Sequence, residues 1–204
     1  IALSTDKAVH PVNLYGATKM VAEKLFIQGN AYSGKKTTRF SCVRYGNVVG
    51  SRGSIVPLFK MQKEEGKITI TDPRMTRFWL TLDQGAAFVE NCTQIMNGGE
   101  IFVPKIPSMK ITDLADAMAP GIPHEYIGIR PGEKIHEVLI TEDEARHTRD
   151  LKEYYIIDPE ISFWNGHRKD YSYTLPEGFR YSSETNTEWL DEEGLKQMLA
   201  ESHP

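Results

Sequence analysis

The chain has 204 residues, 40% of them hydrophobic and 25% charged, with a formal net charge of −4. That is enough apolar material for one substantial core or a domain plus a lobe, without the composition of a disordered segment. The negative balance argues against nucleic acid or anionic membranes as partners. No apolar run nears the roughly 18 residues of a transmembrane helix and no signal peptide opens the sequence, so a cytoplasmic protein is expected.

In chain order, Ile1 to Ser4 read as the end of a buried strand, and Pro11 to Asn13 as the entry to an amphipathic helix over 13–28. A strand over 39–45, a Gly-rich loop over 46–54, a helix over 55–65 and a short strand over 67–71 follow. Next come a helix over 81–97 with Leu82, Ala86, Val89 and Ile95 among its apolar positions, a strand over 100–103, a helix over 111–119 and a strand over 125–129. From about residue 142 the pattern loosens, leaving a short strand from Tyr154 to Ile157 and a closing helix over 187–200. Alternation of strand and helix predicts an α/β layer structure, with sites in the loops that follow strands.

The densest chemistry lies at the start. Ser4-Thr5-Asp6-Lys7 precedes Tyr15-Gly16-Ala17-Thr18-Lys19 by only seven residues. On a helix Tyr15 and Lys19, at i and i+4, share one face. A lysine one turn from a tyrosine lowers the phenol's pKa and can also hydrogen-bond a nucleotide ribose, so the phenolate can take a proton from a sugar hydroxyl. A second Tyr-x-x-x-Lys, Tyr32 to Lys36, crosses the turn signal Ser33-Gly34 and reads as surface loop.

Other reactive residues are less organised. Cys42 and Cys92 sit among apolar neighbours and read as buried thiols, and the six histidines (10, 124, 136, 147, 167 and 203) show no metal-ligand spacing. No Gly-x-Gly-x-x-Gly or Gly-x-x-Gly-x-x-Gly lies between a strand and a helix. With no starting methionine, the chain is expected to be the C-terminal part of a longer protein.

Together Ser4-Thr5-Asp6-Lys7-Ala8, Tyr15-Gly16-Ala17-Thr18-Lys19 and the run Arg44 to Ser54 (RYGNVVGSRGS) resemble the extended short-chain dehydrogenases/reductases. With Met75-Thr76-Arg77-Phe78-Trp79 and Arg130-Pro131-Gly132-Glu133-Lys134, the resemblance narrows to the inverting UDP-N-acetylglucosamine 4,6-dehydratases of pseudaminic acid biosynthesis. Lysine after Asp6, where retaining relatives carry glutamate, favours the inverting type. Tyr15, where the large membrane-bound relatives carry methionine, favours the soluble one.

The resemblance implies part of a Rossmann-like doubly wound parallel sheet in residues 1–50, with segments of 80–105 returning to it, and a smaller α/β nucleotide-sugar lobe mainly over 51–204. It implies NADP, with NAD possible, as cofactor, and Tyr15, Lys19 and Tyr45 as cofactor contacts. In the dehydration, Tyr15 would be the base at the sugar C4 hydroxyl, Lys19 would tune it and Thr5 would hydrogen-bond the same oxygen. Asp6 would protonate the leaving C6 hydroxyl, and Lys7 would move the C5 proton. For the UDP part it implies Asn47, Arg77 and Arg130 at the diphosphate and Glu133 at the ribose, a planar guanidinium fork suiting phosphate oxygens. The 50–54 run offers backbone N–H groups to phosphate. Arg52 and Arg74 rank lower, and Lys105 stays ambiguous. A homo-oligomer built partly through helices 13–28 and 81–97 is expected. A 4-epimerase or reductase of the same family, and a non-catalytic nucleotide-sugar binding fragment, are the alternatives.

Overall fold

A strand, a one-turn 3-10 helix and a long α-helix open the computed structural model, which describes residues 1–33, 37–51, 53–159 and 175–201. The elements run β1 (Ala2–Thr5), the 3-10 turn Asp6–Ala8, α1 (Leu14–Tyr32), β2 (Cys42–Tyr45), β3 (Asn47–Val48), α2 (Ile55–Glu64) and β4 (Ile68–Ile70). They continue through β5 (Thr76–Leu80), α3 (Leu82–Ile95), β6 (Ile101–Pro104), β7 (Ser108–Lys110), α4 (Ile111–Met118) and β8 (His124–Tyr126). The rest are β9 (Val138–Ile140), α5 (Glu142–Ala145), β10 (Thr148–Asp150), β11 (Tyr154–Ile157), β12 (Tyr181–Ser182) and α6 (Glu192–Glu201).

The chain divides into two compact units, the first comprising Ile1–Tyr45, Ala86–Lys105 and Val138–Tyr181, the second Gly46–Gly85, Ile106–Glu137 and Ser182–Pro204. The first unit is built on a five-stranded sheet of order β1-β2-β6-β11-β10. Strands β1, β2 and β6 are mutually parallel, and β11 and then β10 add antiparallel at the far side. Every residue of β6 is buried, as expected of a parallel strand covered on both faces. Val43, Cys92, Phe102 and Ile156 form its core, with Phe88, Val89, Met96 and Tyr154 packed against them.

In the second unit β3 and β5 pair in parallel, β7 lies antiparallel to β5, and β4 pairs in parallel with β8. Helices α2, α4 and α6 bury Val56, Phe59, Leu114, Ala115, Leu195 and Met198 in one core with Ile68, Ile70, Trp79 and Met109.

Several expectations change. Strand β6, within the 80–105 stretch, pairs in the first unit's sheet, and β11 and β10, from within 51–204, join it there. Strands β3, β5, β7, β9, β10 and β12 and helix α5 were not expected. Ser108-Met109-Lys110 holds a single apolar residue, too little to read as a strand, and its pairing with β5 is what defines it. The closing helix begins at Glu192 rather than 187, since the preceding segment runs beside β7: Ser108 N donates to Glu188 O and Leu190 N to Ser108 O, both at 2.9 Å. Helix α1 runs on to Tyr32, four residues beyond its expected end.

Candidate functional site

In the first unit the sequence-predicted residues gather at the carboxyl ends of parallel strands, the end at which open α/β sheets bind ligands. Thr5 ends β1 directly opposite Tyr45, which ends β2. The Thr5 hydroxyl caps the following 3-10 turn by accepting from Lys7 N at 3.4 Å, and it donates to Asp6 Oδ1 at 2.8 Å. Lys7 Nζ donates to the same oxygen at 3.0 Å. The Asp6 side chain is 0% exposed and that of Lys7 36%, so a buried carboxyl group meets a cation that still reaches solvent. Chemically this is an acid and a base sharing one hydrogen bond.

Helix α1 brings the second group. The Asn13 side chain accepts from Gly16 N at 2.9 Å and so satisfies one of the helix's orphan amides. The helix therefore starts just before Tyr15, with Tyr15 and Lys19 one turn apart. Gly16 faces the 3-10 turn: a Cβ there would collide with the Lys7 carbonyl oxygen and stand 3.0 Å from Pro11 Cβ. Only glycine lets α1 approach the Asp6–Lys7 backbone this closely. Tyr15 is 54% exposed. Lys19 Nζ donates to Leu3 O at 3.3 Å, one use of its three donors. Tyr45 is half-buried, and burial pushes its phenol pKa up. Of the second Tyr-x-x-x-Lys, Tyr32 closes α1 in an exposed position and Lys36 lies outside the described residues.

Behind both groups stands a buried network that the sequence reading missed. Arg44, on β2, uses all five guanidinium donors. Nε and NH2 donate to the Glu23 carboxylate at 3.1 and 2.5 Å, NH1 to Leu139 O at 2.8 Å, and NH1 and NH2 to the Glu144 carboxylate at 3.0 and 2.9 Å. Ser4, next to Thr5, donates to Glu23 Oε2 at 2.6 Å. Burial alone would lower the Arg44 pKa, but the two carboxylates outweigh it and hold it above its ordinary value. Burial works to raise the Glu144 pKa, and Arg44 outweighs that and holds it below the ordinary carboxylate value. Glu144 also closes a capping box with Thr141 at the start of α5. Residue 23 continues the 15, 19, 23 spacing of α1, which was the one available hint.

In the second unit Asn47 lies on β3 opposite Trp79. Arg130-Pro131-Gly132-Glu133 form a β-turn closed by Glu133 N donating to Arg130 O at 3.1 Å, with proline second and Gly132 third at φ 83°, the type II pattern. Arg130 is exposed, and its guanidinium makes no hydrogen bond or ion pair among the described residues. Glu133 Oε2 is buried without a hydrogen-bond partner among them. Arg77, on β5, is turned to its own unit's backbone: NH1 donates to Thr76 O at 2.7 Å and Ile135 O at 2.9 Å, and NH2 to Lys134 O at 2.9 Å.

The residues ranked lower divide. Arg74 forks onto Asp72 at 2.9 and 2.8 Å, and those hydrogen bonds bring the Asp72 carboxyl down to about 2. Lys105 pairs with Asp150 at 2.6 Å and lies 4.7 Å from the Tyr155 ring centroid. Arg52 lies outside the described residues. Both cysteines are free and buried, and burial first of all pushes each thiol up to about 12. Among the described residues no cluster of His, Cys, Asp and Glu is arranged to hold a metal ion, and no helix is long and apolar enough to cross a membrane.

A parallel α/β sheet with Thr-Asp-Lys at one strand end and a Tyr-x-x-x-Lys helix packed on it defines an extended short-chain dehydrogenase/reductase, and the chain belongs to the polysaccharide biosynthesis protein family, whose profile matches residues 1–159. It is 51% identical over 211 residues to the UDP-N-acetylglucosamine 4,6-dehydratase (inverting) of Campylobacter jejuni serotype O:2, covering 98% of this chain and 62% of that protein. It is 37% identical to the UDP-glucose 4-epimerase of Rickettsia rickettsii, covering 98% of this chain and 60% of that one. Among solved structures it superposes on Pen from Bacillus thuringiensis with a TM-score of 0.82 at 35% identity, over 97% of this chain and 60% of that one. The chain thus spans about three-fifths of the length of these relatives.

Proposed function

We propose that the chain carries the catalytic and nucleotide-recognition residues of a UDP-N-acetylglucosamine 4,6-dehydratase that inverts C5, giving a 4-keto-6-deoxy sugar nucleotide for pseudaminic acid and surface glycans. The carrying observation is the Asp6–Lys7 contact of 3.0 Å beside Thr5 at the end of a parallel strand. Lys19, with ammonium donors to spare beside Tyr15, and Tyr45 at the next strand end fit a nicotinamide dinucleotide, NADP or NAD, whose chemistry when bound is to accept and return a hydride. Tyr15 removes the C4 hydroxyl proton as C4 is oxidised, and Thr5 holds that oxygen. The resulting ketone acidifies the C5 proton, which Lys7 takes while Asp6 protonates the C6 hydroxyl and water leaves. One proton passed from Lys7 to Asp6 across their contact leaves an amine and a carboxylic acid, the pair this elimination needs. Reduction at C6 and protonation of C5 on the opposite face complete a turnover whose net change is loss of one water.

Arg130 supplies a cation to the diphosphate and Glu133 an open acceptor to the ribose, with Asn47 contributing a donor. The α1 surface leaves Leu14 80%, Val21 51%, Leu25 66% and Tyr32 85% exposed at helical spacing, which supports a homo-oligomer. Light scattering across a concentration series should read more than one chain per particle. A UDP-sugar substrate supports work in the cytoplasm.

The decisive test incubates the protein with UDP-N-acetylglucosamine and NADP+ or NAD+ in deuterated water, following the sugar by NMR and mass spectrometry. A 4-keto-6-deoxy product with deuterium at an inverted C5 is expected. A C4 epimer that keeps its water would overturn the dehydratase and favour the epimerase that the Rickettsia likeness suggests.

A further inference from the structure

The fully buried positions of helix α1 are not apolar. They are Gly16, Glu23 and Asn30, each seven residues after the last and so on nearly one face, while Leu14, Val21 and Leu25 are exposed. Hydrophobic contact has no direction, so it is close approach and hydrogen bonding that set where this helix sits on its sheet. At the far end Asn30 Nδ2 donates to Phe40 O at 2.7 Å and Phe40 N to Asn30 Oδ1 at 2.9 Å. Asn30 lies about 22 Å along the helix from Tyr15, whereas Glu23 lies about 12 Å from Tyr15 and about 6 Å from Lys19.

Glu23, 2% exposed, ties α1 to two strands at once. Ser4 on β1 donates to its Oε2, Arg44 on β2 forks onto both of its carboxylate oxygens, and Cys42 Sγ donates to its backbone carbonyl at 3.8 Å. Ser4 immediately precedes Thr5, and Arg44 immediately precedes Tyr45. Lys19 also reaches β1, at Leu3 O, but through a long flexible side chain that fixes no register. On the reaction proposed above, we infer that Glu23 is a positioning residue: it fixes the register of the Tyr15–Lys19 helix against the strand ends that carry Thr5 and Tyr45, and so aims the Tyr15 base and the Thr5 hydroxyl at one substrate oxygen. A buried ion network is often no more stabilising than apolar groups of the same volume, but its directional bonds hold one register. Glu144 keeps Arg44 paired whatever stands at position 23, which separates this role from charge balance.

The test compares Glu23→Met, Glu23→Gln and Ser4→Ala with the unsubstituted protein. Hydrogen exchange reads the ligand-free amides, and steady-state kinetics on UDP-N-acetylglucosamine with hydrogen or deuterium at C4 reads the oxidation step. In Glu23→Met, exchange should quicken about tenfold or more over residues 14–20, the effect of losing one charge-assisted hydrogen bond, while β2 and β6 keep their protection. Its kcat should fall about 10²-fold, as for a misplacement of about an ångström, with UDP affinity unchanged. The isotope effect on kcat/KM should rise, because C4 oxidation becomes the slower step. A smaller folded fraction would lower turnover and leave that ratio where it was. Glu23→Gln, which keeps one acceptor, and Ser4→Ala, which cuts only the β1 tie, should each lose less. An isotope effect equal to that of the unsubstituted protein would make Glu23 a structural residue only and overturn the inference. So would unchanged exchange over 14–20, or exchange that quickens across the whole first-unit sheet. Failure of the unsubstituted protein to dehydrate the sugar would overturn the proposed reaction and the inference with it, whereas the outcomes above overturn the inference alone.

Discussion

Arg44 in the first unit and Arg130 in the second are held in opposite ways. In the first, charges are buried and answered from within: Arg44 spends every donor on Glu23, Glu144 and a carbonyl, and Asp6 receives both Thr5 and Lys7. In the second, Arg77 is likewise answered from within, by three backbone carbonyls, but Arg130 is exposed and Glu133 keeps a buried oxygen with no hydrogen-bond partner among the described residues. A site that moves protons at fixed atoms needs its acid and base held to within tenths of an ångström, which compensated burial provides. A site that captures a flexible anionic ligand needs donors whose hydrogen bonds are still to be made. On the proposed function, the contrast assigns chemistry to the first unit and recognition to the second.

Breaking the first unit's internal compensation should have the largest effect. Arg44→Met leaves the Glu23 and Glu144 carboxylates facing a thioether, and removing one partner of a buried ion network costs about 3–5 kcal/mol. Denaturant unfolding should show that loss, and hydrogen exchange should find it concentrated in β1, β2 and α1. An equal loss of protection in the second unit's strands would break the comparison.

Gly16→Ala should cost less, about 1–3 kcal/mol, the usual cost of overpacking, despite alanine's better helix propensity. The added methyl would force α1 off the Lys7 carbonyl, so turnover should fall more than stability does. Wild-type turnover in this variant would show that the close approach of Tyr15's helix is unnecessary.

The smallest effect is one of pH. The folded Glu144 pKa lies below the ordinary value of 4.5, so its pairing adds stability that is fully present above about that pH and is lost as pH falls through the depressed folded value. Melting temperature measured downward from neutral pH should decline more steeply in wild type than in Glu144→Gln. Parallel curves would remove Glu144 from the account.

What was legible in the sequence is what is local. Thr5, Asp6 and Lys7 are consecutive, and Tyr15 and Lys19 are one helical turn apart, so spacing alone placed each group. Buried runs such as Ile101–Pro104 announce a strand by composition. The Arg44 network joins residues 21 and 100 positions from it, and no window contains both partners. Helical spacing put Glu23 in line with Tyr15 and Lys19, yet nothing in the residue itself says that it faces an arginine rather than water. The Arg77 hydrogen bonds were less visible still, because their acceptors are backbone carbonyls, which every residue has. The Arg77 motif suggested a phosphate ligand, while the fold gave the guanidinium other partners. Strands β5 and β7 escaped for a related reason: β7 is defined by its pairing with β5, and β5 by its pairing with β3 and β7.

The most direct test measures turnover and UDP affinity together in Lys7→Ala and Arg130→Ala. The division of labour predicts that Lys7→Ala loses about 10²–10⁴ in kcat, the usual contribution of an acid–base group, and binds UDP as wild type does. It predicts that Arg130→Ala weakens UDP by roughly 10–150-fold, the equivalent of about 1.5–3 kcal/mol for a charged hydrogen bond, and keeps its kcat at saturating substrate. Parallel loss of kcat and UDP affinity in both variants would contradict it.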